Sequence, residues 1–213
     1  MLANYKLVIF DWDGTVMDSV ARIVSSLEAA ALLTGGLPEL SGDELKQMIG
    51  LSLDKGYEFL YPGAPLEKLD EWKRHYGQQF RVDNDTPIDL YPSALGFLEL
   101  LKQRGHLLAV ATGKSRSGLD KAIADTGTSA FFVATRTADE TASKPDPLMI
   151  NELLAQLGVE AKDAVMVGDT THDMYLAQNA GVDAIGITWG VHDRTTLAEY
   201  HPVAIVDSLE ALL

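Results

Sequence analysis

Aspartates occur in two short motifs of this chain, DWDGT at residues 11–15 and GDTTHD at residues 168–173. The aspartates that these motifs contain are Asp11, Asp13, Asp169 and Asp173. Carboxylates gathered at close range repel one another unless a cation neutralises them. Oxygen ligands favour a hard cation, and a site with few carboxylates plus water favours Mg²⁺ over Ca²⁺. The motifs therefore predict a magnesium site if the fold brings them together.

Residues suited to binding an anion lie between the two motifs, and they are Thr112, Gly113, Lys114 and Lys144. The Thr112 hydroxyl and the Lys144 ammonium can donate hydrogen bonds, and Gly113 lets backbone N–H groups approach phosphate oxygens. Carboxylates, Mg²⁺, a lysine and backbone N–H groups together suit phosphoryl transfer. In that reaction positioning and charge stabilisation do most of the work.

Each of these pieces also has a simpler interpretation. Asp-Gly-Thr is common in turns, and Asp169 is in a position to start a turn or cap a helix. A Lys-Pro pair such as 144–145 is usually on the surface. Residues 112–114 lack the spacing G-x-x-x-x-G-K-[ST], which excludes a P-loop nucleotide site. The histidines form no H-x-x-H or H-E-x-x-H pair, and His172 lies nearest to the motifs.

The motifs follow runs of apolar residues that are typical of buried strands. Continuous rather than alternating apolar character indicates strands covered on both faces of a parallel sheet. The predicted strands are 6–10, 107–111, 131–134, 164–167, 184–187 and 203–206. Helices are predicted at 92–104, 146–157 and 171–180, each followed by a glycine. This alternation predicts an α/β fold with a doubly wound, Rossmann-like parallel sheet.

The carboxyl ends of parallel strands share one edge of a sheet, so we expect the site residues to converge there. From residue 16 to about residue 86 the pattern is helical and contains no convincing strand, with helices predicted at 20–33, 43–49 and 66–80. We therefore expect a core of residues 1–15 and 87–213 and a helical cap of residues 16–86 above that edge. Lys46, Gln47 and the turn 50–52 are candidates to reach down from the cap.

Composition narrows the classes of partner. The 213 residues include 17 Lys and Arg against 31 Asp and Glu, a formal net charge of −14. This charge argues against nucleic acid or an anionic membrane as a partner, whereas a small anionic substrate needs only local positive charge. The absence of cysteine excludes thiolate metal sites and cysteine nucleophiles. No run approaches the roughly 18 apolar residues of a membrane span, and no signal peptide is visible. We expect a cytoplasmic protein, and the oligomeric state stays open.

Taken in order, the motifs resemble those of the haloacid dehalogenase superfamily across essentially the whole chain. The family pattern is D-x-D-G-T, a Thr or Ser after the second strand, a lysine, and G-D-x-x-x-D. Here these are DWDGT, Thr112, Lys144 within SKPDP, and GDTTHD. Within the superfamily, Asp-x-Asp marks phosphatases and phosphomutases, and dehalogenases lack the second aspartate. The helical insert resembles the family's C1-type cap, and the nearest likeness is to phosphoglycolate phosphatase-like hydrolases.

The resemblance implies Mg²⁺-dependent hydrolysis of a small-molecule phosphoester, similar to phosphoglycolate or a sugar phosphate. Asp11 would be the nucleophile that forms an aspartyl-phosphate. Asp13 would act as general acid toward the leaving alkoxide and then as base toward water. Mg²⁺ would be held by Asp11, the backbone carbonyl of Asp13 and Asp169.

The other motif residues would surround the phosphoryl group. The resemblance implies that Thr112, Gly113, Lys114 and Lys144 bind substrate or phosphate, with Lys144 also balancing the charge of Asp11. Asp173 would orient either a metal-bound water or Lys144. Some relatives carry an acidic residue where this chain has Thr170.

Other functions stay open at this point. A β-phosphoglucomutase-like phosphomutase would share every motif, but would transfer phosphate between sugar positions without releasing it. A receiver-like signalling domain combines similar residues, but has an adjacent acidic pair on its first strand and no large helical insert. A non-enzymatic binding protein would not need Asp11, Thr112 and Lys144 all present.

Overall fold

A six-stranded parallel sheet forms the centre of the computed structural model, which describes residues 1–213. The strands are β1 (Leu7–Phe10), β2 (Met17–Asp18), β3 (Asp89–Leu90), β4 (Leu107–Thr112), β5 (Ala134–Thr137), β6 (Ala164–Gly168), β7 (Asp183–Ile187) and β8 (Ala204–Val206). The helices are α1 (Val20–Thr34), α2 (Gly42–Lys46), α3 (Leu53–Leu60), α4 (Leu69–Gln78), α5 (Ala94–Gln103), α6 (Arg116–Asp125), α7 (Leu148–Leu157), α8 (Thr171–Ala180) and α9 (Arg194–Ala198). The sheet has the order β5-β4-β1-β6-β7-β8, which confirms the predicted doubly wound α/β fold.

The sheet is covered on both faces, as the continuous apolar runs predict. In the central strand β1, Val8 and Phe10 belong to the core on one face, and Leu7 and Ile9 to the core on the other. No residue of β1 is more than 1% exposed. Burying each such apolar side chain stabilises the fold by about 1.5–3 kcal/mol. A strand buried on both faces therefore has apolar residues at every position, without the alternation of a half-exposed strand.

Two predictions about strands are wrong. The strand predicted at 131–134 lies three residues later, because β5 pairs with β4 only from Ala134 onward. Phe131 and Phe132 are apolar because they pack against the core beside the sheet. The expectation of no strand between 16 and 86 also fails, since β2 pairs antiparallel with β3. A strand of two residues is too short to leave a periodic pattern in the sequence.

Helices α1 to α4 and the π-helical turn Gln79–Asp83 form a separate layer, which we call the helical layer. Its own apolar core includes Leu27, Tyr57 and Trp72, and the Tyr57 and Trp72 ring centroids lie 5.4 Å apart. The paired strands β2 and β3 connect this layer to the sheet. No helix in the structure has the length and apolar character needed to span a membrane.

Candidate active site

The carboxyl edge of the sheet brings together residues that are far apart in the sequence. Asp11 follows β1, Thr112 ends β4 and Asp169 follows β6, while Lys144 comes from the segment between β5 and α7. Each of these side chains is at most 1% exposed. The structure therefore places polar and charged groups in an interior where each needs a partner.

A buried ion-pair network lies at the centre of this edge. The Lys144 Nζ atom lies 2.7 Å from Asp11 Oδ1 and 2.6 Å from Asp173 Oδ1. Burial alone would lower the pKa of Lys144, but the charges of Asp11 and Asp173 outweigh it and raise that pKa. The lysine therefore stays protonated and holds the two carboxylates together.

The start of α8 fixes the position of Asp173. Its Oδ2 atom accepts hydrogen bonds from the Thr170 N–H at 3.0 Å and from the Thr170 hydroxyl at 2.7 Å. In return the Asp173 N–H donates to the Thr170 hydroxyl oxygen at 3.3 Å, which completes a capping box. A Cβ atom on Gly168 would overlap the Asp173 carboxylate. The glycine of the GDTTHD motif thus makes room for the last aspartate of the same motif.

Asp169 is held by groups from two separate loops. Its Oδ1 accepts from the Thr15 hydroxyl at 2.7 Å, and its Oδ2 accepts from the Val191 N–H at 2.8 Å. Burial, together with the charge of Asp173, raises the pKa of Asp169 to about 7 although both hydrogen bonds lower it. A Cβ on Gly14 or Gly190 would overlap this carboxylate. Asp169 is therefore enclosed tightly by backbone.

The donor set fits a divalent metal ion. Asp11, Asp169 and Asp173 each offer a carboxylate oxygen, and these oxygens lie within 4.8 Å of one another. Both carboxylate oxygens of Asp11 are buried without a hydrogen-bond partner, and Oδ1 lies 2.7 Å from Lys144 Nζ. Burial raises the pKa of Asp11 well above its usual range; Lys144 lowers it, and Asp173 and Asp169 raise it further. A hard cation among these oxygens would supply the missing partner.

Asp13 points away from the carboxylate cluster and toward the helical layer. Both of its oxygens lie 2.9 Å from Lys114 Nζ, and Oδ1 also accepts from the Ser19 hydroxyl at 2.7 Å. The Lys114 ammonium lies 4.9 Å from the centre of the Phe80 ring. Lys114, proposed from the sequence as a phosphate ligand, is thus paired with Asp13 and contacts the helical layer.

A cleft of about 650 Å³ separates the sheet edge from the helical layer. Its sheet side includes Asp11, Asp13, Thr112 and Gly113. Its opposite side includes Ile23, Met48, Leu51, Tyr76 and Phe80. The cleft thus has a charged floor and a largely apolar roof, which is the usual character of a small-molecule site.

The segment after α2 closes one end of this cleft. A Cβ on Gly113 would overlap the carbonyl oxygens of Gly50 and Leu51, so only glycine permits this approach. The Ser52 N–H donates to the Ser143 hydroxyl oxygen at 2.9 Å. The turn 50–52 therefore does reach the core. Lys46 does not line the cleft, and it pairs with Asp43 at 2.7 Å instead.

Gln47 makes two further contacts with the core, both to histidines. Its side-chain oxygen lies 2.9 Å from His192 Nε2, and its backbone oxygen lies 3.0 Å from His172 Nε2. The Thr171 N–H donates to His192 Nδ1 at 3.0 Å, so Nε2 carries the hydrogen that Gln47 accepts. Burial lowers the pKa of both histidines, which favours their neutral forms. No sequence motif marks His192 or Ser19, and only the fold reveals them.

The chain matches known proteins over nearly its full length. The family described as haloacid dehalogenase-like hydrolase matches residues 8–187. The probable phosphatase IndB of Dickeya dadantii is 36% identical, covering 97% of this chain and 91% of the relative. Pyrophosphatase PpaX of Bacillus velezensis is 30% identical, covering 97% of this chain and 94% of the relative. The crystal structure of a predicted phosphoglycolate phosphatase from Haemophilus somnus matches with a TM-score of 0.87 at 25% identity, covering 98% of this chain and 96% of that chain.

We expect Mg²⁺ to stabilise the wild-type protein and to have little effect on Asp169→Asn. Asn removes one negative charge from the buried carboxylate cluster while keeping an oxygen for Thr15. A ligand at 100 times its Kd adds about 2.7 kcal/mol of stability. Thermal unfolding at rising MgCl₂, with ionic strength held constant by KCl, measures the shift. Asp120→Asn, an exposed aspartate outside the site, is the matched control. An equal Mg²⁺ shift in Asp169→Asn would contradict the metal site.

We expect Lys144→Met to lower the free energy of unfolding by about 3–5 kcal/mol, the usual loss when one member of a buried ion pair is removed. The variant leaves Asp11 and Asp173 buried without their cation. Lys121→Met, which breaks an exposed pair with Asp125, should change stability by less than about 1 kcal/mol. Urea unfolding compares the two variants. Similar losses in both would show that the buried network does not stabilise the fold.

Proposed function

The chain belongs to the haloacid dehalogenase-like hydrolase family, and we propose that it hydrolyses a small-molecule phosphoester with Mg²⁺ through an aspartyl-phosphate on Asp11. Family membership and the phosphatase relatives make it a phosphoric monoester hydrolase. The observation that carries the finer proposal is the unpartnered carboxylate oxygen of Asp11, held beside Lys144 on the floor of the cleft. Phosphoglycolate and sugar phosphates are the proposed types of substrate.

Asp11 is suited to nucleophilic attack because a carboxylate needs no base to activate it, provided that the negative charge of the phosphoryl group is screened. Lys144 supplies part of that screening from within the network. Mg²⁺, held by Asp11, the Asp13 backbone carbonyl and Asp169, supplies further positive charge when bound. A carboxylate oxygen of Asp11 bonds to phosphorus as the bond from phosphorus to the alkoxide oxygen breaks.

Thr112 and Gly113 are placed to orient the transferred group. The Thr112 hydroxyl oxygen accepts from the Lys114 N–H at 3.3 Å, which leaves its own hydrogen for a phosphoryl oxygen. Both residues line the cleft beside Asp11. Donors fixed before the substrate arrives need no reorganisation during the reaction, and this is how such groups stabilise developing charge.

Asp13 is the proposed general acid and base. Its side chain lines the cleft, and Lys114 and Ser19 fix its orientation. In the first step its protonated form gives the proton to the leaving alkoxide, which leaves the carboxylate that pairs with Lys114. In the second step it takes a proton from the water that attacks phosphorus, which releases phosphate and restores Asp11.

We further propose that residues 16–86 act as a cap and that residues 1–15 and 87–213 form the catalytic core. The helical layer has its own apolar core, and the chain enters and leaves it beside the paired strands β2 and β3. Its contacts through Gln47 and Ser52 hold it over the cleft. A closed cleft of this volume holds a small molecule and excludes bulk water, which strengthens the electrostatic interactions inside it.

Phosphate release tests the proposal. A panel of phosphoglycolate, sugar phosphates and p-nitrophenyl phosphate is assayed with Mg²⁺ and with EDTA. We expect Mg²⁺-dependent release in the wild type and in Asp120→Asn, and none above background in a folded Asp11→Asn. Turnover retained by Asp11→Asn would remove Asp11 as the nucleophile. Transfer of phosphate between sugar positions without release would indicate a phosphomutase instead.

Asp13→Asn tests the acid and base role. We expect kcat to fall by about 10²–10⁴-fold for an alkyl phosphate, the usual contribution of general acid–base catalysis. The loss in the phosphorylation step should be smaller for p-nitrophenyl phosphate, because p-nitrophenolate leaves without being protonated. Single-turnover kinetics with both substrates measures that step directly. Equal losses of less than tenfold for the two substrates would assign the acid role to another group.

A further inference from the structure

The wall of the cleft contains arginines that have no acidic partner. The basic residues that line the cleft are Arg22, Lys73, Arg81, Lys114 and Lys121. The three lysines form ion pairs, with Asp54, Asp13 and Asp125 respectively. The Arg22 side chain donates only to backbone carbonyls, and the exposed side chain of Arg81 makes no ion pair and no hydrogen bond within the protein. In a chain with 31 acidic and 17 basic residues, two cleft arginines without a carboxylate leave positive charge for an anion from outside.

Arg81 lies on the π-helical turn that follows α4, and its guanidinium is beside Gly77. A Cβ on Gly77 would stand 2.7 Å from Arg81 Nη2 and 3.2 Å from Cζ, so the guanidinium lies directly against this glycine. Both residues line the cleft. The guanidinium therefore lies at the cleft wall, next to α4.

Tyr76 adds a hydrogen-bond donor next to this guanidinium. Its side chain lines the cleft, and its hydroxyl has no partner within the protein. Burial and the charge of Asp13 raise the pKa of Tyr76, while Arg81 lowers it, so the hydroxyl keeps its proton. Arg22 supports the same corner, because it donates to the carbonyls of Phe80 and Thr86 on either side of Arg81.

We propose that Tyr76 and Arg81, supported by Arg22, bind a second anionic group of the substrate. The transferred phosphoryl group lies at Asp11 and Thr112, and the second group lies against the helical layer. A guanidinium binds a carboxylate or a phosphate through paired hydrogen bonds, a geometry that a neutral hydroxyl does not match. This inference rests on the proposed function and narrows its substrates to small phosphate compounds with a second negative charge, either a carboxylate or another phosphate.

Substrates matched in size test this subsite. Phosphoglycolate carries a carboxylate where 2-hydroxyethyl phosphate carries a neutral hydroxymethyl group, and pyrophosphate carries a second phosphate. We expect the wild type to have a higher kcat/KM for phosphoglycolate or for pyrophosphate than for 2-hydroxyethyl phosphate. The one it prefers identifies the anion as a carboxylate or a phosphate.

Arg81→Ala should lower kcat/KM for the preferred anionic substrate by about 10–100-fold, as expected for the loss of hydrogen bonds between charged groups. Most of this loss should appear in KM. The ratio of kcat/KM between the anionic and neutral substrates should fall by at least tenfold, and Arg81→Lys should recover part of it. Arg74→Ala is the matched control, because Arg74 lies on α4, pairs with Glu71 and does not line the cleft. It should leave the ratio unchanged.

Two results would overturn the subsite. One is a wild type that prefers 2-hydroxyethyl phosphate, and the other is an Arg81→Ala variant that loses the same factor on anionic and neutral substrates. Failure of the proposed function would look different, because the wild type would then release phosphate from none of the compounds. Calorimetric titration of phosphoglycolate and of pyrophosphate into Asp11→Asn, with and without Arg81→Ala, measures the subsite without turnover. If the subsite exists, the preferred compound binds more weakly to the double variant than to Asp11→Asn. Equal affinities of the two variants for each of the compounds would contradict the subsite.

Discussion

The contact of Lys144 with Asp11 and Asp173 is the constraint on which the rest of the site depends. All three groups are buried, so water cannot solvate or screen their charges. Asp173 must therefore be positioned by the capping box of α8, and the segment before α7 must deliver Lys144 to the same point. With Asp169 included, three carboxyl groups share one ammonium, and burial raises the pKa of Asp11 and of Asp169. When all three are ionised, two negative charges are left over. A divalent cation would balance them, so that the ion-pair network and the candidate metal site would form one arrangement.

The loop after β7 connects this arrangement to the helical layer. Val191 donates its N–H to the Asp169 carboxylate, and the next residue, His192, binds the Gln47 side chain. Gly190 in the same loop leaves the space that Asp169 fills. One short segment therefore holds a candidate metal ligand and a contact of the helical layer, so a shift of that layer would also move the N–H that binds Asp169. In the proposed enzyme, this links closure of the cleft to the geometry of the carboxylates.

Local patterns predicted those parts of the structure that depend on local physics. The strands buried on both faces, the glycines after α7 and α8 and the polar residues at strand ends are all visible in the sequence. The position of β5 was not, because its pairing with β4 decides where the strand begins and Phe131 and Phe132 are apolar for another reason. The partners of Lys114 and His192 depend on contacts across 101 and 145 residues of chain. Motif spacing and periodicity cannot predict contacts between residues so far apart in the sequence.

A crystal structure grown with MgCl₂ and orthovanadate tests whether Asp11 is the nucleophile, because vanadate adopts the geometry of a phosphoryl group under attack. We expect a metal ion bound by Asp11 and Asp169, and vanadium within bonding distance of an Asp11 carboxylate oxygen. We also expect Thr112 and Lys144 to contact the vanadate oxygens. Vanadate bound elsewhere in the cleft, with Asp11 still paired only to Lys144, would contradict the role of Asp11 as the nucleophile.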